Sequence, residues 1–120
     1  MKSVKFSYIY DFAFDLVDFS CEGEFRFKRS VELGEGIFLD FDENDLPVSL
    51  ELIGASKILG VHRKHLNNPK FKVHVMISEN SIKTEISMKY LIHQGQFEAK
   101  VEKEVSNDWL LDSIEMVMIN

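Results

Sequence analysis

Asp40, Asp42 and Asn44 alternate along LDFDEN, and Glu51 follows eleven positions after Asp40. That spacing places oxygen donors at positions 1, 3, 5 and 12 of an EF-hand loop, the pattern that gathers hard ligands around one Ca²⁺. Two residues oppose it. Asp45 stands where such a loop needs glycine for its sharp turn, and Pro47 where an apolar strand residue belongs. The flanking residues also alternate with a period of two rather than a helical period. A solvated acidic turn is the reading adopted, and a calcium-responsive domain is the alternative that a titration of the Asp40–Glu51 amides would reveal.

A second acidic group begins with Tyr10, Asp11 and Asp15. If the hairpin that carries them lies beside the one that carries Asp40 and Asp42, the carboxylates of Asp11, Asp15, Asp40 and Asp42 form a cluster. Paired carboxylates can move protons or hold Mg²⁺. The plainer reading is that a small β domain carries its acids on wet faces and in turns. His62 and His65 are three apart, a usable metal spacing on a helical turn. Arg63 and Lys64 between them repel a cation, so they read as a solvated connector. His74 and His93 read as exposed sheet or turn residues. Cys21 is the only cysteine, and the neighbouring Glu22 would raise its thiol pKa, against a nucleophile. No catalytic residue, cofactor-binding residue or metal ligand is assigned on these grounds, and no cofactor is expected. The chain shows no phosphate-cradling glycine loop, Ser-His-Asp pattern, zinc quartet or RNA-binding aromatic motif.

The elements that must position these groups follow from periodicity. Ile37, Leu39 and Phe41, then Val48, Leu50 and Leu52, alternate with polar or less buried positions on either side of Glu43-Asn44-Asp45. That pattern predicts an antiparallel hairpin with one buried face. Pro47 has no amide to donate and fits only where no ladder bond is needed. Gly54 releases the chain into a single helical turn at Ala55–Leu59. Val4–Tyr10 and Ala13–Phe19 read as earlier strands, with Phe6, Tyr8 and Tyr10 on one side of the first and Phe12, Phe14, Leu16 and Val17 supplying core around the second. Phe25-Arg26-Phe27-Lys28 reads as a strand with both aromatics inward. After a polar connector ending in Asn68-Pro69, residues 71–77, 82–90 and 97–101 alternate as a three-strand meander. Residues 106–111 read as a short helical turn capped by Ser106, and residues 114–119 as a terminal strand.

The chain has 120 residues, 45% hydrophobic, which bounds it to one ordered domain. A β-hairpin half spans 1–60 and a meander extension 70–120. Residues 1–60 carry 12 acidic against 6 basic side chains, while residues 61–120 carry 8 of each. The whole net charge of −6 therefore lies in the first half. Such a surface repels phosphate backbones and favours a basic partner, so nucleic-acid binding is not expected. No apolar run reaches membrane-spanning length, and the N-terminus lacks a signal-peptide pattern, so no membrane association and a cytoplasmic location are expected.

Gly36 through Ser56 resembles the domain of unknown function 2283 family. The resemblance rests on Leu39-Asp40-Phe41-Asp42, Leu50-Glu51-Leu52 and Gly54-Ala55-Ser56, with an earlier echo in Tyr10-Asp11 and Asp15-Leu16. Asp45 and Ser49 stand where the family pattern usually has glycine, and Val17-Asp18 replaces its usual Tyr-Ile. The resemblance implies a small, mostly β domain and no established activity. Association with the family also points to antitoxin-type binders of basic, toxin-like or RNase-like proteins.

The fold expected is α+β, with mostly antiparallel meanders of seven or eight strands, one or two short helices, and one curved sheet or two packed layers. The function expected is a non-catalytic protein-interaction module rather than an enzyme. The alternative is a small-ligand or metal-binding enzyme using the carboxylates of Asp11, Asp15, Asp40 and Asp42. A homodimer is expected, paired through the apolar segment Met116–Ile119.

Overall fold

The alternation from Ile37 to Ile53 folds as an antiparallel hairpin in the computed structural model, which describes residues 3–120. Strands β4 (Ile37–Asp42) and β5 (Pro47–Ile53) bury Ile37, Leu39, Phe41, Leu50 and Leu52 on one face. Pro47 opens β5 at a break in register between Asp40 and Phe41, where no ladder donor is lost. Asp45 takes a left-handed backbone (φ 60°), the conformation for which glycine is the usual choice. Gly36, at φ 76°, lies so close to Ile53 that an added Cβ would stand 2.4 Å from the Ile53 carbonyl oxygen.

Around this hairpin lie β1 (Ser3–Asp11), β2 (Leu16–Cys21) and β3 (Phe27–Gly34). The second half supplies β6 (Lys70–Ile77), β7 (Ser81–Ile92), β8 (Gly95–Ser106) and β9 (Ile114–Ile119). All nine join one sheet in the order β3-β4-β5-β2-β1-β9-β6-β7-β8. Every neighbouring pair is antiparallel except β1 and β9. β1 makes the crossing between halves, since Ser3–Lys5 pair with Val117–Ile119 and Phe6–Asp11 pair with Leu16–Cys21. The sheet curls until its edge strands approach, and a Cβ on Gly34 of β3 would meet the Lys103 side chain of β8 at 3.1 Å.

The concave side holds one core drawn from both halves. Its centre is aromatic: Phe6 and Phe19 lie 5.3 Å apart, Phe19 and Phe71 4.9 Å, and Tyr8 and Phe71 5.2 Å between ring centroids. Each such ring contributes ~1.5–3 kcal/mol by leaving water. Helix α1 (Ala55–Leu59) and a 3₁₀ turn (Arg63–Leu66) cap one end, with Ala55, Leu59 and Leu66 buried. The Tyr8 hydroxyl donates to the Leu66 carbonyl at 2.6 Å, and burial pushes its phenol pKa up.

The α+β expectation is overturned. Among the described residues the helical content is one five-residue turn and one four-residue 3₁₀ turn, neither of which forms a layer, and the fold is nearly all β. The helical turn expected at 106–111 is absent because Asn107 claims that segment. Its amide nitrogen donates to the carbonyls of Ser78 and Leu111, and its oxygen accepts from Leu111 N–H, all within 3.0 Å. β9 forms where a terminal strand was expected, but between β1 and β6, so Met116–Ile119 is interior and presents no free edge for pairing between chains.

Several aromatics also turn outward. The chain bends at residues 12–15, and β2 begins at Leu16, which leaves Phe12 60% and Phe14 78% exposed. A register shift between Phe27 and Arg29 breaks the alternation that would have buried Phe27 alongside Val31 and Leu33, and Phe25 precedes the strand. Phe97 lies near the tip of the long β7–β8 hairpin, beyond the core, and is exposed.

Candidate functional site

Among the described residues Asp15 and Asp40 are the buried acids, and Asp15 is the more enclosed of the two, with 5% of its side chain exposed. It sits at φ 52° at the end of the β1–β2 turn, a left-handed position that Asp tolerates better than most residues. Its carboxylate accepts from the Tyr10 hydroxyl at 2.7 Å, the Ser56 amide at 3.0 Å and the Ser56 hydroxyl at 2.6 Å. Its own carbonyl accepts from the amides of Gly54 and Ala55. Arg63 stands 3.9 Å from the carboxylate and donates to the Phe12 carbonyl. Helix α1 has no side-chain cap of its own, and Asp15 supplies one from across the sheet.

Burial alone would push the Asp15 carboxyl up. The Ser56 and Tyr10 hydroxyls, the Ser56 amide and Arg63 outweigh it and hold the group below its ordinary value. Burial, the hydrogen bond to Asp15 and the charge of Asp15 push the Tyr10 phenol up to about 12. A carboxylate saturated by donors and held ionised is a structural anchor, not a proton carrier.

The other acids proposed to join it lie elsewhere. Asp11 accepts from the Phe14 amide within its own turn, and Asp42 accepts from the amides of Asn44 and Leu46. Asp40 lies on the convex face of the sheet beside Ser49 and Ser30. The four carboxylates therefore do not form one cluster. Among the described residues, no three His, Cys, Asp or Glu side chains are placed to hold a metal. The calcium-like set is split as well, because Asp42 serves the turn while Glu51 pairs across the strands with Asp18.

A different acidic group does assemble on the convex face. Val17, Phe19, Leu39, Phe41, Leu50 and Leu52 point into the core, so alternation sends Asp18, Asp40 and Glu51 outward from β2, β4 and β5. Glu51 is directly opposite Asp18, and Ser49 lies between Asp40 and Ser20 in the adjacent row. The Ser20 hydroxyl bonds to the Asp18 carboxylate and lies 3.0 Å from the Ser49 hydroxyl. Burial, the charges of Asp40 and Asp18, and a hydrogen bond with Asp40 raise the Glu51 pKa. Asp18 and Glu51 were each visible in the sequence, but only the register of β2 on β5 makes them neighbours. Apolar Ile9 and Ile53, both more than half exposed, occupy the same convex face.

The remaining candidates have structural roles. The His62 ring nitrogen accepts from the Lys64 amide, while His65 packs on Tyr90 with ring centroids 4.9 Å apart. Arg63, read as part of a solvated connector, instead ties that connector to the β1–β2 turn. His74, expected exposed, is largely buried between Glu85 at 3.7 Å and Glu115 at 3.4 Å. His93 takes a left-handed turn position at φ 48°. Cys21 is half-buried; burial raises its thiol pKa, with the charge of Asp42 adding to it.

Among the described residues, no helix is long and apolar enough to cross a membrane. Residues 8–56 match the family model described as protein of unknown function (DUF2283). Those limits enclose Tyr10, Asp15 and Ser56, so the anchor lies wholly within the matched segment. A protein of Methanosarcina mazei that carries the name "Putative hypoxanthine phosphoribosyltransferase" is 30% identical over 88 residues, covering 72% of this chain and 70% of that protein. No solved structure matches. With the matched segment running from within β1 through β5 to the start of α1, and so holding the Asp15 anchor, the chain belongs to the domain of unknown function 2283 family.

Proposed function

We propose that the protein is a non-catalytic interaction module whose convex face on strands β2, β4 and β5 receives a basic protein. The observation that carries this reading is the Asp18–Asp40–Glu51 group, in which burial together with the crowding of three acids raises the Glu51 pKa. An arriving Lys or Arg would relieve that repulsion, and Ile9 and Ile53 beside it offer apolar contact. An antitoxin-type binder of a basic protein in the cytoplasm is the specific form proposed. The name of the M. mazei relative points instead to phosphoribosyl transfer. This face of the sheet offers no phosphate-cradling loop for that reaction, so binding is preferred. A homodimer is proposed as well, and with β9 interior and the convex face given to the partner it would use the edges β3 and β8.

The test is a pull-down from native lysate with the wild-type protein beside an Asp18→Ser/Glu51→Gln variant, at low and moderate salt. A stoichiometric basic protein held by wild type, released by salt and lost in the variant supports the reading. Equal capture by both proteins rejects this face as the binding surface. Light scattering after gel filtration tests the dimer.

A further inference from the structure

We propose that the second half of the chain binds a small molecule carrying two or more adjacent phosphate charges, in a lysine-lined trough on β6 and β7. Lys70 and Lys89 are direct cross-strand partners. Like charges directly opposite in an antiparallel pair repel; on its other side Lys89 faces Glu98 of β8, while no carboxylate is paired with Lys70. Two concavities meet at these lysines. One, of about 520 Å³, adds Lys72, Ser87 and Asn120; the other, of about 390 Å³, adds Lys64. Both fall in the size range of small-molecule sites.

Among the described residues, Lys64, Lys70, Lys72 and Lys89 make no ion pair. Glu98, the one acidic side chain lining the trough, is the cross-strand partner of Lys89, but its carboxylate stands 3.9 Å from Lys100 and makes no ion pair with a trough lysine. Four lysines thus line two adjoining concavities in a protein of net charge −6, on the half whose overall charge is zero. The floor is fixed in advance, because the Asn120 side chain accepts from the Phe71 amide and donates to the Pro69 carbonyl. Lysine ammonium groups suit phosphate as point charges, and several together favour a condensed or doubly phosphorylated ligand over a single anion.

Tripolyphosphate is the probe, titrated into the full-length protein and followed by amide NMR and thermal melting. Saturable shifts are expected at residues 70–72, 87–89 and 120, with a rise in Tm. Loss of two charged contacts in Lys70→Ala/Lys89→Ala should weaken binding by about a hundred-fold, while Lys83→Ala on the same strand changes it by less than about two-fold. Without ligand, the double variant should melt no lower than wild type, which separates lost binding from lost folding. Shifts that never saturate, or equal weakening in both variants, overturn the site. Tighter binding of a single-stranded RNA oligonucleotide than of tripolyphosphate through the same lysines overturns the small-molecule class.

Discussion

Asp15 and Ser56, 41 positions apart, are joined by both the amide and the hydroxyl of Ser56, at 3.0 and 2.6 Å. The contact starts helix α1 and pins the β1–β2 turn to it, so one carboxylate closes that end of the curled sheet. Charge-assisted hydrogen bonds inside a protein are stronger than neutral ones and costly to leave half made. Asp15→Ala leaves Tyr10 and Ser56 without their acceptor and should destabilise by ~2–4 kcal/mol in urea unfolding. Asp15→Asn, which keeps the shape and tolerates the left-handed backbone, should lose less than Asp15→Ala.

The same carboxylate sets an acid limb of stability. The folded-state pKa of Asp15 is depressed, so the unfolded chain takes up its proton first as pH falls. Its contribution is complete above the ordinary carboxylate value of about 3.9 and is lost below it as pH falls through the folded value. Urea unfolding should show the gap between wild type and Asp15→Asn narrowing from pH 5 towards pH 2. A gap independent of pH would assign the loss to packing rather than charge.

Glu51 runs the opposite way. Its folded pKa is raised, so its charge opposes folding, and its contribution is most favourable below about pH 4.3 and declines as pH rises through the folded value. Glu51→Gln should raise Tm at pH 7 by a few degrees and show no advantage at pH 4. If a basic partner occupies this face, the same change should weaken binding while it stabilises the free protein.

Gly36→Ala should be among the most damaging single changes in β4 and β5. It forces a side chain onto a backbone at φ 76° and drives its Cβ to 2.4 Å from the Ile53 carbonyl oxygen. Strain of this kind costs ~1–3 kcal/mol, and the hydrogen bond from Ile53 N–H to the Gly36 carbonyl at 2.8 Å would have to shift with it. Gly23→Ala, at φ 90° with nothing near its Cβ, should lose only the backbone term. Melting curves of the two variants separate collision from backbone strain.

Asn107→Leu removes three hydrogen bonds at a buried site while keeping similar volume. The stranded Ser78 and Leu111 groups should cost ~2–3 kcal/mol, seen as a lower urea midpoint with unchanged slope. Hydrogen exchange should quicken at Leu111, whose amide has Asn107 as its partner.

Most of the strand pattern was legible because burial on one face writes itself into the chain with a period of two. Ile37–Phe41, Val48–Leu52, Phe71–Ile77 and Ile82–Met88 all bury the residues that alternation selects. Periodicity failed where a turn or bulge broke it. Phe14 and Phe27 look like core in sequence and lie outside, since a turn separates Phe14 from β2 and a register shift follows Phe27 at the start of β3. Asn107 looked like part of a capped helix, and nothing local shows that its side chain will satisfy a carbonyl 29 positions away.

The sequence by itself determined the antiparallel hairpins, the acidic first half and the family to which that half belongs, because these depend on local alternation and composition. Tertiary structure alone decided which acids meet. Asp15 leaves the proposed carboxylate cluster to cap α1, Glu51 meets Asp18 through the register of β2 on β5, and Lys70 meets Lys89 through that of β6 on β7. β9 enters the middle of the sheet instead of ending it. Charge on a strand is a local property; its neighbour across the ladder is set by long-range pairing, which no short stretch of sequence encodes.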